Sequence, residues 1–89
     1  MSDTFKGLLD QLRKEREWPM LYLFKFIVPN DHQKLALVEA LFGAEAQVSI
    51  NESRNGKYLS ISAKEMMLSA EEIIERYKKA QKIEGIISL

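Results

Sequence analysis

Asn55-Gly56 lies between two stretches whose side chains alternate with a period of two, and this constrains the fold more than any other feature of the chain. From Ala44 to Asn51 the apolar Ala44, Ala46, Val48 and Ile50 interleave with Glu45, Gln47 and Ser49. From Lys57 to Ala63 the apolar Leu59, Ile61 and Ala63 interleave with Tyr58, Ser60 and Ser62. Such alternation sends successive side chains to opposite faces of a strand, and Asn-Gly tolerates the positive φ of a tight turn. The two stretches are therefore expected to form an antiparallel hairpin with one face on a core and the other free.

The flanking segments place this hairpin in a larger order. Met20 to Val28 reads as a strand with Tyr22, Phe24, Phe26 and Val28 on one face and Leu21, Leu23, Lys25 and Ile27 on the other. Because Lys25 interrupts the second face, the Tyr22 face is assigned to the core. Pro29-Asn30-Asp31 ends the strand and opens a helix, in which Asn30 and Gln33 have capping-box spacing, Leu35, Val38, Leu41 and Phe42 form a stripe, and Gly43 suits the C′ position. Ser69 with Glu72 marks a second helix start; Ile73, Ile74, Tyr77 and Ala80 form its stripe, and Glu72/Arg76 and Glu75/Lys79 are i, i+4 pairs. Met66-Met67-Leu68 is expected to fold over the end of the core before that helix, and Ile83 to Leu89 to form a last strand. Ahead of the first strand, Phe5, Leu8, Leu9 and Leu12 make a helical stripe that Pro19 terminates.

The order is thus a helix followed by β-α-β-β-α-β, and right-handed crossovers with a central hairpin lead to a ferredoxin-like α+β sandwich. Its four-stranded antiparallel sheet has the order 4-1-3-2, with two helices on one face. At 89 residues the chain is expected to be a single domain, residues 1–17 forming an N-terminal helical extension and 18–89 the core.

Three stretches carry a likeness to known proteins: Leu8-Leu9 followed by Trp18-Pro19-Met20-Leu21-Tyr22-Leu23-Phe24-Lys25-Phe26, the hairpin Ser53-Arg54-Asn55-Gly56-Lys57-Tyr58-Leu59-Ser60-Ile61, and the tail from Tyr77 to Leu89. Together they resemble the YbeD-like family of small bacterial proteins of unknown function. This chain departs from that family after the first strand, where Val28-Pro29 stands in a place at which relatives often carry glycine. The family's fold is similar to the ACT regulatory domains that bind amino acids, so the resemblance implies a regulatory role by analogy of fold. It brings no catalytic residues to carry over.

Composition removes several classes of function. Lys plus Arg and Asp plus Glu are 13 each, which is not the basic excess of a protein built to neutralise phosphates. There is no cysteine, hence no disulfide, thiolate metal site or Cys nucleophile. The first residues lack a leader pattern and no apolar run could span a bilayer, so a cytoplasmic protein without membrane contact is expected. Val28-Pro29-Asn30-Asp31-His32 offers neither the arginine nor the glycines of an acylphosphatase loop, nor the Cys pair of a copper chaperone. His32, the single histidine, reads as a solvated first-turn residue. No catalytic residue, metal ligand or cofactor is expected.

What remains is the second face of the sheet, to which the alternation assigns Leu21, Leu23, Lys25, Ile27, Gln47, Ser49, Tyr58, Ser60, Ser62 and Ile86. Its apolar members need a cover, and the favoured expectation is that the first helix lays Phe5, Leu8, Leu9 and Leu12 across part of it. Otherwise the face is free to bind a protein partner or a second copy. Leu21, Leu23, Lys25, Tyr58 and Ser60 form the candidate interaction surface, with Lys25 and Tyr58 as near neighbours on adjacent strands. A regulatory or adaptor domain acting by protein contact is the leading expectation and a small-molecule effector the alternative. RNA recognition ranks last because Tyr58 is the one outward aromatic in place of a stacking set.

Overall fold

A computed structural model of the chain describes residues 3–15 and 17–89; Met1, Ser2 and Arg16, which belong to the expected extension, lie outside the described residues. The elements are α1 (Asp3–Glu15), β1 (Met20–Pro29), α2 (His32–Glu39), β2 (Gln47–Glu52), β3 (Tyr58–Met67), α3 (Ala70–Ala80) and β4 (Ile87–Ser88). The four strands form one antiparallel sheet in the order β2-β3-β1-β4, which is the expected order read from the other edge.

The core lies on one face of this sheet. Phe24, Phe26 and Val28 of β1 and Ile61 and Ala63 of β3 are completely buried there, against Val38 of α2 and Ile73, Ile74, Tyr77 and Ala80 of α3. Burying a phenylalanine or isoleucine side chain in this way contributes roughly 1.5–3 kcal/mol each. The aromatic rings meet one another, Phe24 and Tyr77 edge to face at 5.5 Å between centroids and Phe24 and Phe42 tilted at 5.8 Å.

The first helix does not cover the second face. It packs beside α3 on the core side, with Leu12 buried, Phe5 stacked on Tyr77, and Arg13 donating from Nε to Glu71 at 2.7 Å. The physical reason is the company available there: the apolar stripe of α1 packs against α3 next to Tyr22 and Tyr77, where it finds aromatic partners.

Several boundaries differ from expectation, each for a local reason. Asp31 rather than Asn30 caps α2, its carboxylate accepting from the Gln33 and Lys34 amides at 2.7 and 3.4 Å. Asn30 is occupied elsewhere: its backbone N–H donates to the Lys57 carbonyl and its side chain to the Gly56 carbonyl, tying the end of β1 to the hairpin. Helix α2 ends at Glu39 with Ala40 as a right-handed cap, and Gly43 serves instead as an amide donor to the Glu65 carboxylate. A turn from Gly43 to Ala46 consumes the first residues assigned to β2, which begins at Gln47. Val48 and Ile50 pair with Ala63 and Ile61 and so share the core side, yet they stay exposed because no helix reaches that edge.

The hairpin turn closes with the Gly56 amide donating to the Ser53 carbonyl, and Gly56, at φ 73°, is its residue of positive φ. Strand β3 then runs four residues beyond Ala63, so that Met67 enters the core and Met66 points away from it, in place of a Met-Met-Leu connector. Ser69 caps α3 as expected, accepting from the Glu72 amide at 3.2 Å. Arg76 turns to Glu65 rather than to Glu72, which accepts from the Leu68 amide. The last strand shrinks to Ile87–Ser88 because Ile83 to Ile86 forms a turn, with Gly85 at φ 84° close against Pro29.

Candidate functional site

The strand registers build the open face row by row. Leu21 stands opposite Met66, Leu23 opposite Lys64, Lys25 opposite Ser62, Ile27 opposite Ser60, and Pro29 opposite Tyr58. On the far side of β3, Gln47 pairs with Lys64, Ser49 with Ser62 and Asn51 with Ser60; beyond β1, Ile87 pairs with Ile27. The relative exposures of Leu21, Leu23, Tyr58, Met66 and Ile87 are 57, 46, 48, 57 and 52 %, so nothing among the described residues covers this face.

All five residues of the candidate surface, Leu21, Leu23, Lys25, Tyr58 and Ser60, lie on this face, but they do not form one cluster. Tyr58 is opposite Pro29, four residues along β1 from Lys25, a separation of about 13 Å at the rise of an extended strand. The expected Lys25–Tyr58 pair is therefore not formed, and Tyr58 marks the end of the sheet rather than its middle. Lys25 instead has Ser62 directly across and Ser60 and Lys64 on the diagonals, the positions through which side chains on neighbouring strands interact. Ile87, not Ile86, supplies β4's contribution, since Ile86 packs against the core.

Lys64 and Met66 are the members that sequence reasoning missed. The alternation continues through them, with Glu65 and Met67 toward the core. A charged residue at an inward position hides that continuation. Glu65 is tolerated because Arg76 reaches it from α3, Nη1 to Oε1 at 2.7 Å, with both side chains mostly buried. The guanidinium also sits 5.4 Å from the Phe24 ring centroid and 5.7 Å from that of Phe42. Burial raises the Glu65 pKa, but hydrogen bonds from Arg76 and the Gly43 amide, together with the Arg76 charge, outweigh it and hold the carboxyl below its ordinary value.

The outcome is an asymmetric surface. Its apolar side chains come from β1, β4 and the two ends of β3, its hydroxyls and amides from β2 and the middle of β3. Among the described residues, Lys25 and Lys64 are its charged side chains, and no Asp or Glu side chain points into it. A shallow depression of about 230 Å³ runs between β1, β3 and β2, lined by Leu23, Gln47, Val48, Ser49, Ser62 and Lys64. Chemically the surface can pair anions through its lysines and bury apolar groups beside them.

A second concavity, of about 350 Å³, opens on the core side between α1, α3 and β1. It is lined by Phe5, Leu8, Tyr22, Tyr77, Gln81, Ser88 and Leu89. The Tyr22 and Tyr77 hydroxyls share a hydrogen bond of 2.9 Å at its wall, and burial, reinforced by that bond, pushes the Tyr77 pKa above its ordinary value.

Elsewhere the chemistry is sparse. His32 is exposed at the first position of α2. Among the described residues no group of three His, Asp or Glu side chains could hold a metal ion, and no helix is long and apolar enough to cross a membrane. No curated protein and no solved structure matches the chain. Residues 13–89, from the last turn of α1 to the end of β4 and its following residue, match the family described as "Protein of unknown function (DUF493)", and the chain belongs to that family.

Proposed function

We propose that this protein is a non-enzymatic regulatory or adaptor domain that acts by protein contact through the open face of its sheet. One observation carries the reading: an open sheet face with Leu21, Leu23, Met66 and Ile87 exposed, bearing two lysines and, among the described residues, no carboxylate side chain. Exposed apolar area of this kind, bordered by polar side chains, is characteristic of interaction surfaces. A partner segment with acidic side chains beside apolar ones would match it in both charge and hydropathy. The ferredoxin-like description, the YbeD-like resemblance and the similarity to ACT regulatory domains belong to the same reading, as does a bacterial, cytoplasmic setting.

The test is affinity capture from the native cell with wild type, Leu23→Asp and Lys25→Glu, each with and without nuclease. A stoichiometric protein partner that survives nuclease and is lost from both folded variants is the expected result. A partner retained by both variants places the contact elsewhere and overturns the reading. The concavity beside Tyr22 and Tyr77 favours a second reading, a small-ligand sensor, which requires that some metabolite raise the melting temperature by mass action.

A further inference from the structure

The backbone of β1 carries a feature that the open face does not explain. Strand β1 is paired with β3 along its whole length, but β4 covers it only at Phe26 and Ile27, and the Leu89 amide reaches the Lys25 carbonyl at 3.0 Å. The polar main-chain groups of Lys25 therefore face the β4 side. In an antiparallel strand every second residue shares that direction, so the N–H and C=O of Leu23 and Leu21 point to the same edge, where no described strand pairs with them. Five residues, Met20-Leu21-Tyr22-Leu23-Phe24, form this free edge, and not one of them is charged. Free edges are normally blunted by lysine, proline or a bulge; here the first charged residue, Lys25, comes where β4 has already begun to cover the strand.

The segment is also self-complementary. A two-fold axis through Tyr22 would set Leu21 opposite Leu23 of the second copy and Met20 opposite Phe24 of the second copy, making four main-chain hydrogen bonds from the Leu21 and Leu23 groups of both chains. On the open side the exposed Leu21 and Leu23 side chains cover those of the second copy. On the core side, Met20 of the second copy falls beside Phe24, at the mouth of the concavity lined by Phe5, Leu8, Tyr22 and Tyr77 and bounded by Ser88 and Leu89. The other free edge, β2, is less suited, because Gln47, Ser49 and Asn51 make one of its sides polar.

We infer that the protein self-associates edge to edge through Met20–Phe24 of β1, two copies joining antiparallel about Tyr22 into one continuous eight-stranded sheet. Each copy then keeps its own Lys25 and Lys64 away from the axis, so the joined open face is larger without like charges being forced together. A face-to-face pairing would instead bring four ammonium groups together with no carboxylate side chain between them.

The test uses the full chain and three forms of it: wild type, the double variant Leu21→Lys with Leu23→Lys, and the double variant Leu21→Glu with Leu23→Lys. Both positions are exposed and outward, so circular dichroism is expected to show all three folded. Sedimentation equilibrium over a wide concentration range should give a reversible dimer for wild type. The two-lysine variant, which sets like charges directly opposite each other twice, should weaken it by roughly tenfold or more. The Glu/Lys variant sets opposite charges across the same axis and should restore the dimer. Amide hydrogen exchange at Leu21 and Leu23 should slow as concentration rises. A monomer at every concentration overturns the inference, as do a wild-type dimer whose concentration-dependent protection appears on β2 instead and a Glu/Lys variant as monomeric as the two-lysine one. A dimer that persists undiminished in the two-lysine variant equally removes this edge as its interface. These results concern the edge of β1 and are separable from partner capture, which the Lys25→Glu variant reports without touching the five paired residues.

Discussion

The two faces of the sheet are made by the same strands and have opposite fates. Along β1, Phe24, Phe26 and Val28 are fully buried, while Leu21 and Leu23, equally apolar, remain about half exposed. All three helices gather on the first face, and the second receives none. Hydropathy alone does not decide which apolar surface is covered, because the first helix could have satisfied either. What decides is the company available. On the core side the α1 stripe meets the aromatic Tyr77, and Arg13 reaches Glu71 of α3; on the open side it would have lain over two lysines and a row of hydroxyls. The apolar side chains left in the open are therefore those surrounded by polar groups that a helix could not have buried without cost.

The largest effects that would break this comparison lie on the covered face. Phe26→Ala should destabilise the fold by about 3–5 kcal/mol and Leu12→Ala by about 2–4 kcal/mol, read from urea unfolding at unchanged slope. The Leu12 value is the sharper test, because a helix that merely hung beside the domain would lose almost nothing. A Leu12→Ala variant as stable as wild type would detach α1 from the core and reopen the question of which face it covers.

Much of this fold could be read in the residues, and the misreadings share a cause. The alternation of Tyr22-Phe24-Phe26-Val28 and of Leu59-Ile61-Ala63, the Asn55-Gly56 turn and the Ser69 cap are local signals, and each fell where local chemistry put it. The end of β3 was hidden because Glu65 occupies an inward position that only a distant residue, Arg76, makes tolerable. Asn30 has the spacing of a cap, yet its hydrogen bonds go to the hairpin, a contact across 26 positions that spacing cannot reveal. The placement of α1 is of the same kind: its stripe was legible, its choice of partner was not. For the candidate surface, the outward assignment of Leu21, Leu23, Lys25, Tyr58 and Ser60 follows from period two alone, whereas who neighbours whom depends on register. Register separated Tyr58 from Lys25 and brought Lys64 in.

The two ion pairs restate the contrast between covered and open at the level of charge. Glu65–Arg76 is largely buried against aromatic rings, and Arg13–Glu71 is exposed. Glu65→Gln should destabilise the domain by about 1.5–3 kcal/mol, since it leaves a shielded guanidinium without its anion. Glu71→Gln should leave stability where it was, as exposed pairs contribute little. The pH dependence follows from direction. The folded-state pKa of Glu65 lies below the ordinary value of 4.5, so its contribution is fully present above about pH 4.5 and is lost as pH falls through the lowered value. Wild type should therefore lose stability more steeply on the acid side than Glu65→Gln. Parallel acid limbs for the two proteins would mean that Glu65 is not charged and paired in the fold.

The smallest expected effect is also the most direct test of the open face. Leu23→Ala removes three carbon atoms from a side chain that is 46 % exposed, opposite Lys64 and away from the core. On a buried face the same change costs several kcal/mol; here it should cost under about 1 kcal/mol, the remaining loss coming from packing on its strand neighbours. Urea unfolding of dilute protein is the right measurement, because any association through β1 would add concentration-dependent stability to the wild type and inflate the difference. A loss as large as that of Leu12→Ala under those conditions would mean that Leu23 is covered after all, and the contrast between the two faces would fail. A small loss that grows with protein concentration would instead mean that Leu23 is open in the single chain and is covered only when a second copy arrives.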